Sequence, residues 1–196
     1  SMSELLEYSL LGLLSGGVMA LVSLSFVLIY KGTGVVNFAV GEIMMLGAYF
    51  YYAGVVTFGQ NPWLIFFISL GLIAVLAVVI ERMVLRPLSG QSAVSVLMAT
   101  IGISSIIHGG VEALWGGENL SPPGLLPRTP LVMGEILLPG AVLGNFAIAF
   151  SLIMAFVLFF RYSKTGVMLR ATASDPVTAA SLGINIHHAQ RLTWGL

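Results

Sequence analysis

The stretch Trp63–Ile80, WLIFFISLGLIAVLAVVI, contains no ionisable side chain. About 20 mostly apolar residues suffice to cross the hydrocarbon core of a bilayer as a helix, so this stretch reads as a membrane span. Working outward, two more spans precede it, Leu10–Tyr30 and Val35–Val56. Two follow it, Ala93–Leu114 and Leu137–Phe160. A sixth starts at Leu192, four residues short of Leu196. The expectation is therefore an all-α, polytopic transmembrane helix bundle over residues 1–196, with about five spans and a C-terminally incomplete last part.

Composition agrees with that reading. Of 196 residues, 58% are hydrophobic and 8% charged, and the mean hydropathy is +1.01. Soluble domains carry about a quarter charged residues, which excludes a water-soluble enzyme. Eight basic residues balance eight acidic ones, so net charge gives no sign of a nucleic-acid partner. With no cysteine there is no disulfide framework, thiolate metal site or cysteine nucleophile.

Sorting the charges by side orients the chain. After five crossings, Lys31, Arg82, Arg86, Arg161, Lys164, Arg170 and Arg191 share one side, and Arg128 alone takes the other. Basic residues accumulate on the cytoplasmic side, which places the N-terminus, with Glu4 and Glu7, outside. No basic segment precedes the first apolar run, so it does not read as a cleaved signal peptide. The outer loop holds Pro122, Pro123, Pro127 and Pro130, which predicts a turn-rich cap or a short hairpin.

Gly12, Gly16 and Ala20 share one face of the first span. Small residues at that spacing let helices approach closely, and packing against a neighbouring span fits better than a subunit contact. The second span holds Asn37 and Glu42 with Gly41, Gly47 and Gly54. A carboxylate within a span costs about 2.5 to 3.5 kcal/mol and normally faces protein or water. Glycines allow local unwinding of such a helix, as in transporters. Two readings fit Asn37 and Glu42 equally: a translocation path, with Gly41 and Gly47, or a structural hydrogen-bond network. His108 and Glu112 lie four apart on the fourth span and read as an interfacial pair exposed to water. They are too few for a metal site. No phosphate loop, nucleophile elbow or zinc-protease motif is present, so no catalytic residue or cofactor is expected.

The longest polar segment is the cytoplasmic loop 161–191. Asp175 before Pro176 is a helix start, with the carboxylate capping free N–H groups. Gly183 is a stop signal, so a two-turn helix is predicted from Pro176 to Leu182.

Two long stretches carry a resemblance. Tyr30-Lys31-Gly32-Thr33-Gly34-Val35-Val36-Asn37-Phe38-Ala39, continued by Gly41-Glu42 through Gly47-Ala48-Tyr49, resembles the N-terminal signature of branched-chain amino acid ABC permeases. The segment from Gly166 through Arg170 and Ala171-Thr172-Ala173-Ser174-Asp175-Pro176 to Asn185 is similar to that family's coupling region, and Arg86-Pro87-Leu88 also fits. Urea and short-chain amide permeases share much the same signatures. The resemblance implies a membrane subunit of a binding-protein-dependent importer in a bacterial or archaeal cytoplasmic membrane. It implies a second permease subunit, cytoplasmic ATPase subunits and a periplasmic solute-binding protein as partners, besides membrane lipid. Arg170, Asp175, Pro176, Ala179 and Gly183 would form the ATPase contact. The general importer pattern E-A-A-x-x-x-G is only partly kept, with Val177, Thr178 and Ala179 ahead of Gly183. The rival class is a self-contained channel or ion-coupled carrier, suggested by Glu42, His108 and Glu112.

Overall fold

The structure, a computed structural model, describes residues 2–33, 36–88, 90–117, 120, 124–125, 129–133, 136–181 and 183. The sixth span from Leu192, the basic residues Arg128 and Arg191, and His187 and His188 lie outside the described residues.

Seven helices run in chain order among these residues. They are α1 (Met2–Thr33), α2 (Val40–Tyr52), α3 (Pro62–Ile80), α4 (Ala93–Trp115), α5 (Gly140–Tyr162), α6 (Lys164–Ser174) and α7 (Pro176–Ser181). A π-helical turn continues α2 over Ala53–Thr57, and another continues α3 over Glu81–Leu85. Five segments are long and apolar enough to cross a membrane: Glu4–Tyr30, Val40–Thr57, Pro62–Leu85, Ala93–Trp115 and Gly140–Tyr162. The polytopic helical bundle read from the sequence is thus present.

Local chemistry sets the boundaries. Asn61 Oδ1 accepts the N–H of Trp63 at 2.9 Å, with Pro62 in the first turn of α3. Ser92 Oγ accepts the N–H of Ser95 and starts α4, and Gly116, at φ +79°, ends it. The expected fifth span from Leu137 starts later. Ile136–Leu138 (β2) pairs antiparallel with Leu131–Met133 (β1), so α5 begins only after Pro139. That hairpin lies in the proline-rich loop before α5. It is the one departure from an all-α chain among the described residues.

The chain forms two compact units. One holds α1 up to Ser25, the hairpin, α5 and the start of α6 through Val167. In it, α5 approaches α1 at Gly17, where an added Cβ would lie 2.5 Å from Phe146 Cδ2. Gly12 and Gly16 border open space, which corrects the expectation that their face packs on a neighbouring span. At the corner between α5 and α6 a Cβ on Gly166 would sit 2.5 Å from the Phe159 carbonyl oxygen, so only glycine fits. Ser163 Oγ accepts the Gly166 N–H at 2.8 Å and caps α6.

The second unit runs from Phe26 through α4 and resumes at Met168. Its core is Ala39, Ile43, Ala77, Ile80, Leu85 and Ile103, with Ile29, Ile73 and Ile107 packed around it. Helices α2 and α3 form an antiparallel pair: Gly47 faces Ile73 and Gly54 abuts Ile65. Helices α2 and α4 run in the same direction, because Phe38, Glu42 and Tyr49 meet Thr100, His108 and Trp115 in that order. Thr100 is seven residues past the start of α4, so at 1.5 Å per residue α2 enters about 10 Å along its neighbour.

Candidate functional site

The start of α2 is non-helical backbone within this three-helix group. Val36 and Asn37 have no regular secondary structure, Phe38 and Ala39 form a turn, and Asn37 and Ala39 are almost wholly buried. Irregular backbone at membrane depth is tolerated where protein covers it and side chains satisfy its donors. Here Asn37 and Ala39 are covered and two backbone donors meet side-chain acceptors, while Val36 and Phe38 stay exposed. Asn37 Oδ1 accepts the Ala39 N–H at 2.9 Å, and Thr100 Oγ1 accepts the Phe38 N–H at 3.4 Å. The expected span from Val35 is therefore a helix from Val40. The residues before it are diverted into an asparagine turn.

The four residues assigned to a translocation path separate into different surroundings. Asn37 is buried at the turn. Gly47 lies against α3, where a Cβ would come 3.2 Å from Ile73 Cγ1. Gly41 borders open space, and Glu42 is partly exposed. The unwinding expected at Gly41 and Gly47 is absent, since both sit in regular α-helix. Departure from α geometry comes at Ala53–Thr57, around Gly54.

Glu42 instead joins the pair on α4. His108 Nδ1 lies 3.3 Å from Glu42 Oε2, and His108 Nε2 lies 3.4 Å from Glu112 Oε1. The imidazole thus stands between a carboxylate of α2 and one of its own helix. The His108 and Glu112 side chains are 52% and 61% exposed. On the same open side of α4 lie Gly102, Ser105 and Gly109, all exposed. Among the described residues no group of His, Cys, Asp and Glu is arranged to hold a metal ion.

Sequence reading missed three features of this site. The Glu42–His108 contact joins residues 66 apart, and no local spacing announces it. Thr100 is buried at 1% exposure and accepts from Phe38, yet in sequence it is one hydroxyl in an apolar run. Glu81 is 2% exposed at the second π turn, and sequence reading did not single it out.

The second candidate segment is α6–α7. Asp175 Oδ1 accepts the Val177 N–H at 3.0 Å, the cap expected from its position before Pro176. Gly183 has φ +84°, the left-handed conformation that suits glycine after a helix. The end expected at Leu182 lies outside the described residues, and α7 is described to Ser181. Arg170 is exposed on α6, a helix that the loop reading did not foresee despite the Ser163 cap. Ala179 is buried at 2% exposure, whereas Val177 is 77% exposed. A direct ATPase contact at Ala179 therefore does not fit, because its side chain packs inward and Val177 and Ser181 point away.

Comparison with known proteins adds a family to this geometry. The family described as "Branched-chain amino acid transport system / permease component" matches residues 8–196. The chain is 28% identical over 196 residues to the high-affinity branched-chain amino acid transport system permease protein BraD of Pseudomonas aeruginosa, covering 93% of this chain and 64% of that protein. It is likewise 28% identical over 199 residues to the LivH permease proteins of Salmonella typhimurium and Escherichia coli K12, covering 93% of this chain and 63% of each. The chain thus spans less than two thirds of these relatives. No solved structure matches it.

Proposed function

This chain belongs to the branched-chain amino acid transport permease family, and we propose that it serves as a membrane-spanning subunit of an ATP-driven, binding-protein-dependent importer of branched-chain amino acids. One observation carries the reading. The family match runs unbroken through both the charged face of α2 and α4 and the capped helix α7.

In this reading the partners are cytoplasmic ATPase subunits, a second permease subunit and a periplasmic solute-binding protein, in the cytoplasmic membrane of a bacterium or archaeon. Hydrolysis belongs to the ATPases. Helix α7 docks on one of them through its exposed side, and Asp175 keeps its first turn formed. Closure of the ATPases moves α7 and, through the bundle, the helices that border the pathway. Glu42 and Gly41 border that pathway, because carboxylates beside exposed small residues are not turned to lipid.

Reconstitution tests the assignment. In proteoliposomes the chain alone is expected to move no solute. With its ATPases, second permease and binding protein it should take up leucine, isoleucine or valine on addition of ATP. Uptake by the chain alone would favour an ion-coupled carrier, and a binding protein selective for urea would replace the substrate.

A further inference from the structure

We infer that the N-terminus of α2, together with the side-chain amide of Asn37, is a binding site for a carboxylate, the α-carboxylate of the transported amino acid. The inference rests on the importer reading only for the identity of that ligand.

Three observations converge on this point. The first N–H groups of a helix have no intrahelical acceptor, and a side chain commonly takes them up. Asn61 and Ser92 do so for α3 and α4, whereas no side chain caps α2. The Ile43 N–H donates to the Ala39 carbonyl at 2.9 Å, which leaves the N–H groups of Val40, Gly41 and Glu42 ahead of the helical ladder. The second observation is the amide itself. Asn37 is 3% exposed, and its Nδ2 is buried with no acceptor among the described residues. Glu81, the buried carboxylate of the second π turn, does not accept from it. Because Asn37 Oδ1 is held on the Ala39 N–H at 2.9 Å, Nδ2 lies beside the start of α2. A buried amide donor is rarely left unsatisfied, and this one adds to the donors of the helix end. The third observation is depth. Helix α2 starts beside Thr100, partway along α4, so its positive dipole end lies within the span. Broken helices that begin at such depth present their N-termini to anionic substrate groups.

The surroundings leave room for the ligand. Gly41 is exposed, and a Cβ there would meet nothing within 4 Å. Glu42, the acidic residue of the first turn, is engaged with His108 Nδ1 at 3.3 Å. Val36 and Phe38, on either side of Asn37 in the chain, are 41% and 53% exposed and offer apolar surface to an aliphatic side chain. The carboxylate meets the N–H groups beside Gly41 first. It reaches the amide once movement of the helices bordering the pathway uncovers Asn37, and binding draws the chain toward that state. Urea has no carboxylate, so this site separates amino acids from the amide substrates.

The probe is 4-methylvalerate, the leucine skeleton without its amino group. Saturation-transfer NMR on the purified full chain in phosphatidylcholine nanodiscs should show 4-methylvalerate and leucine bound. Leucinamide, which lacks the carboxylate, should bind about tenfold more weakly. Asn37→Ser keeps an oxygen for the Ala39 N–H and removes the amide. Its affinity for 4-methylvalerate should fall about tenfold, the loss of one hydrogen bond to a charged group. Leucinamide and 4-methylvalerate bound equally by the parent chain overturn the site without recourse to any variant. Unchanged affinity in Asn37→Ser overturns it as well. Uptake by the assembled transporter separates the two readings. ATP-driven leucine uptake with binding indifferent to Asn37 keeps the importer and removes the site. Asn37-dependent binding of 4-methylvalerate without leucine uptake keeps the site and removes the importer.

Discussion

The backbone N–H of Phe38 donates to Thr100 Oγ1 at 3.4 Å, and this contact sets where α2 enters beside α4. Thr100 passes its own hydroxyl proton to the Leu97 carbonyl at 2.9 Å, so its oxygen stays free to accept. Thr100→Val keeps the shape and removes the acceptor. The bond is long and only part-buried, so its loss should cost about 0.5–1.5 kcal/mol, read in detergent as unfolding at lower denaturant, while Thr100→Ser stays near the parent.

Gly54 lies directly against Ile65 across the α2–α3 pair. Gly54→Ala drives a methyl group into that side chain. Overpacking of this kind costs about 1–3 kcal/mol, and Ile65→Val in the same chain should recover part of it. Thermal unfolding of the single and double variants measures the coupling, and independent additive losses would contradict it.

Asp175 caps α7 through the Val177 N–H. Asp175→Ala should weaken that helix by about 1 kcal/mol, and Asp175→Asn should retain the cap. In the assembled transporter, solute-stimulated ATP hydrolysis should drop for the alanine variant and persist for asparagine.

Val177 and Ala179 face opposite ways, at 77% and 2% exposure. Val177→Glu should leave the amount of membrane-inserted chain unchanged and abolish copurification with the proposed ATPase partner. Ala179→Glu buries a charge and should instead lower the yield of folded chain. Equal behaviour of the two variants in both measurements would remove the distinction.

Much of this fold is legible in the residues themselves. The charge-free run Trp63–Ile80 and the caps Asn61, Ser92 and Asp175 act within a few residues of chain, so their outcome is visible locally. The start of α2 was harder to read. Val35–Ala39 is apolar enough to continue a span, and only the asparagine turn at Asn37, covered by neighbouring helices, breaks it. The site was legible in pieces. Glu42 and the pair His108 and Glu112 each draw attention as ionisable groups in apolar runs. That they form one cluster depends on the parallel register of α2 and α4, which two distant segments settle together. Ala179 shows the reverse difficulty. Motif position marks it as a contact residue, but which side of a short helix turns inward is decided by packing.

The hydroxyls of the spans have one more consequence. Ser23, Ser105 and Ser151 each donate to a carbonyl four residues earlier on their own helix, and Ser25 to one three residues earlier. Those protons are spent within single helices, so sliding or tilting one span against another exchanges none of them. At these four positions contact between spans therefore rests on shape and not on hydroxyl hydrogen bonds.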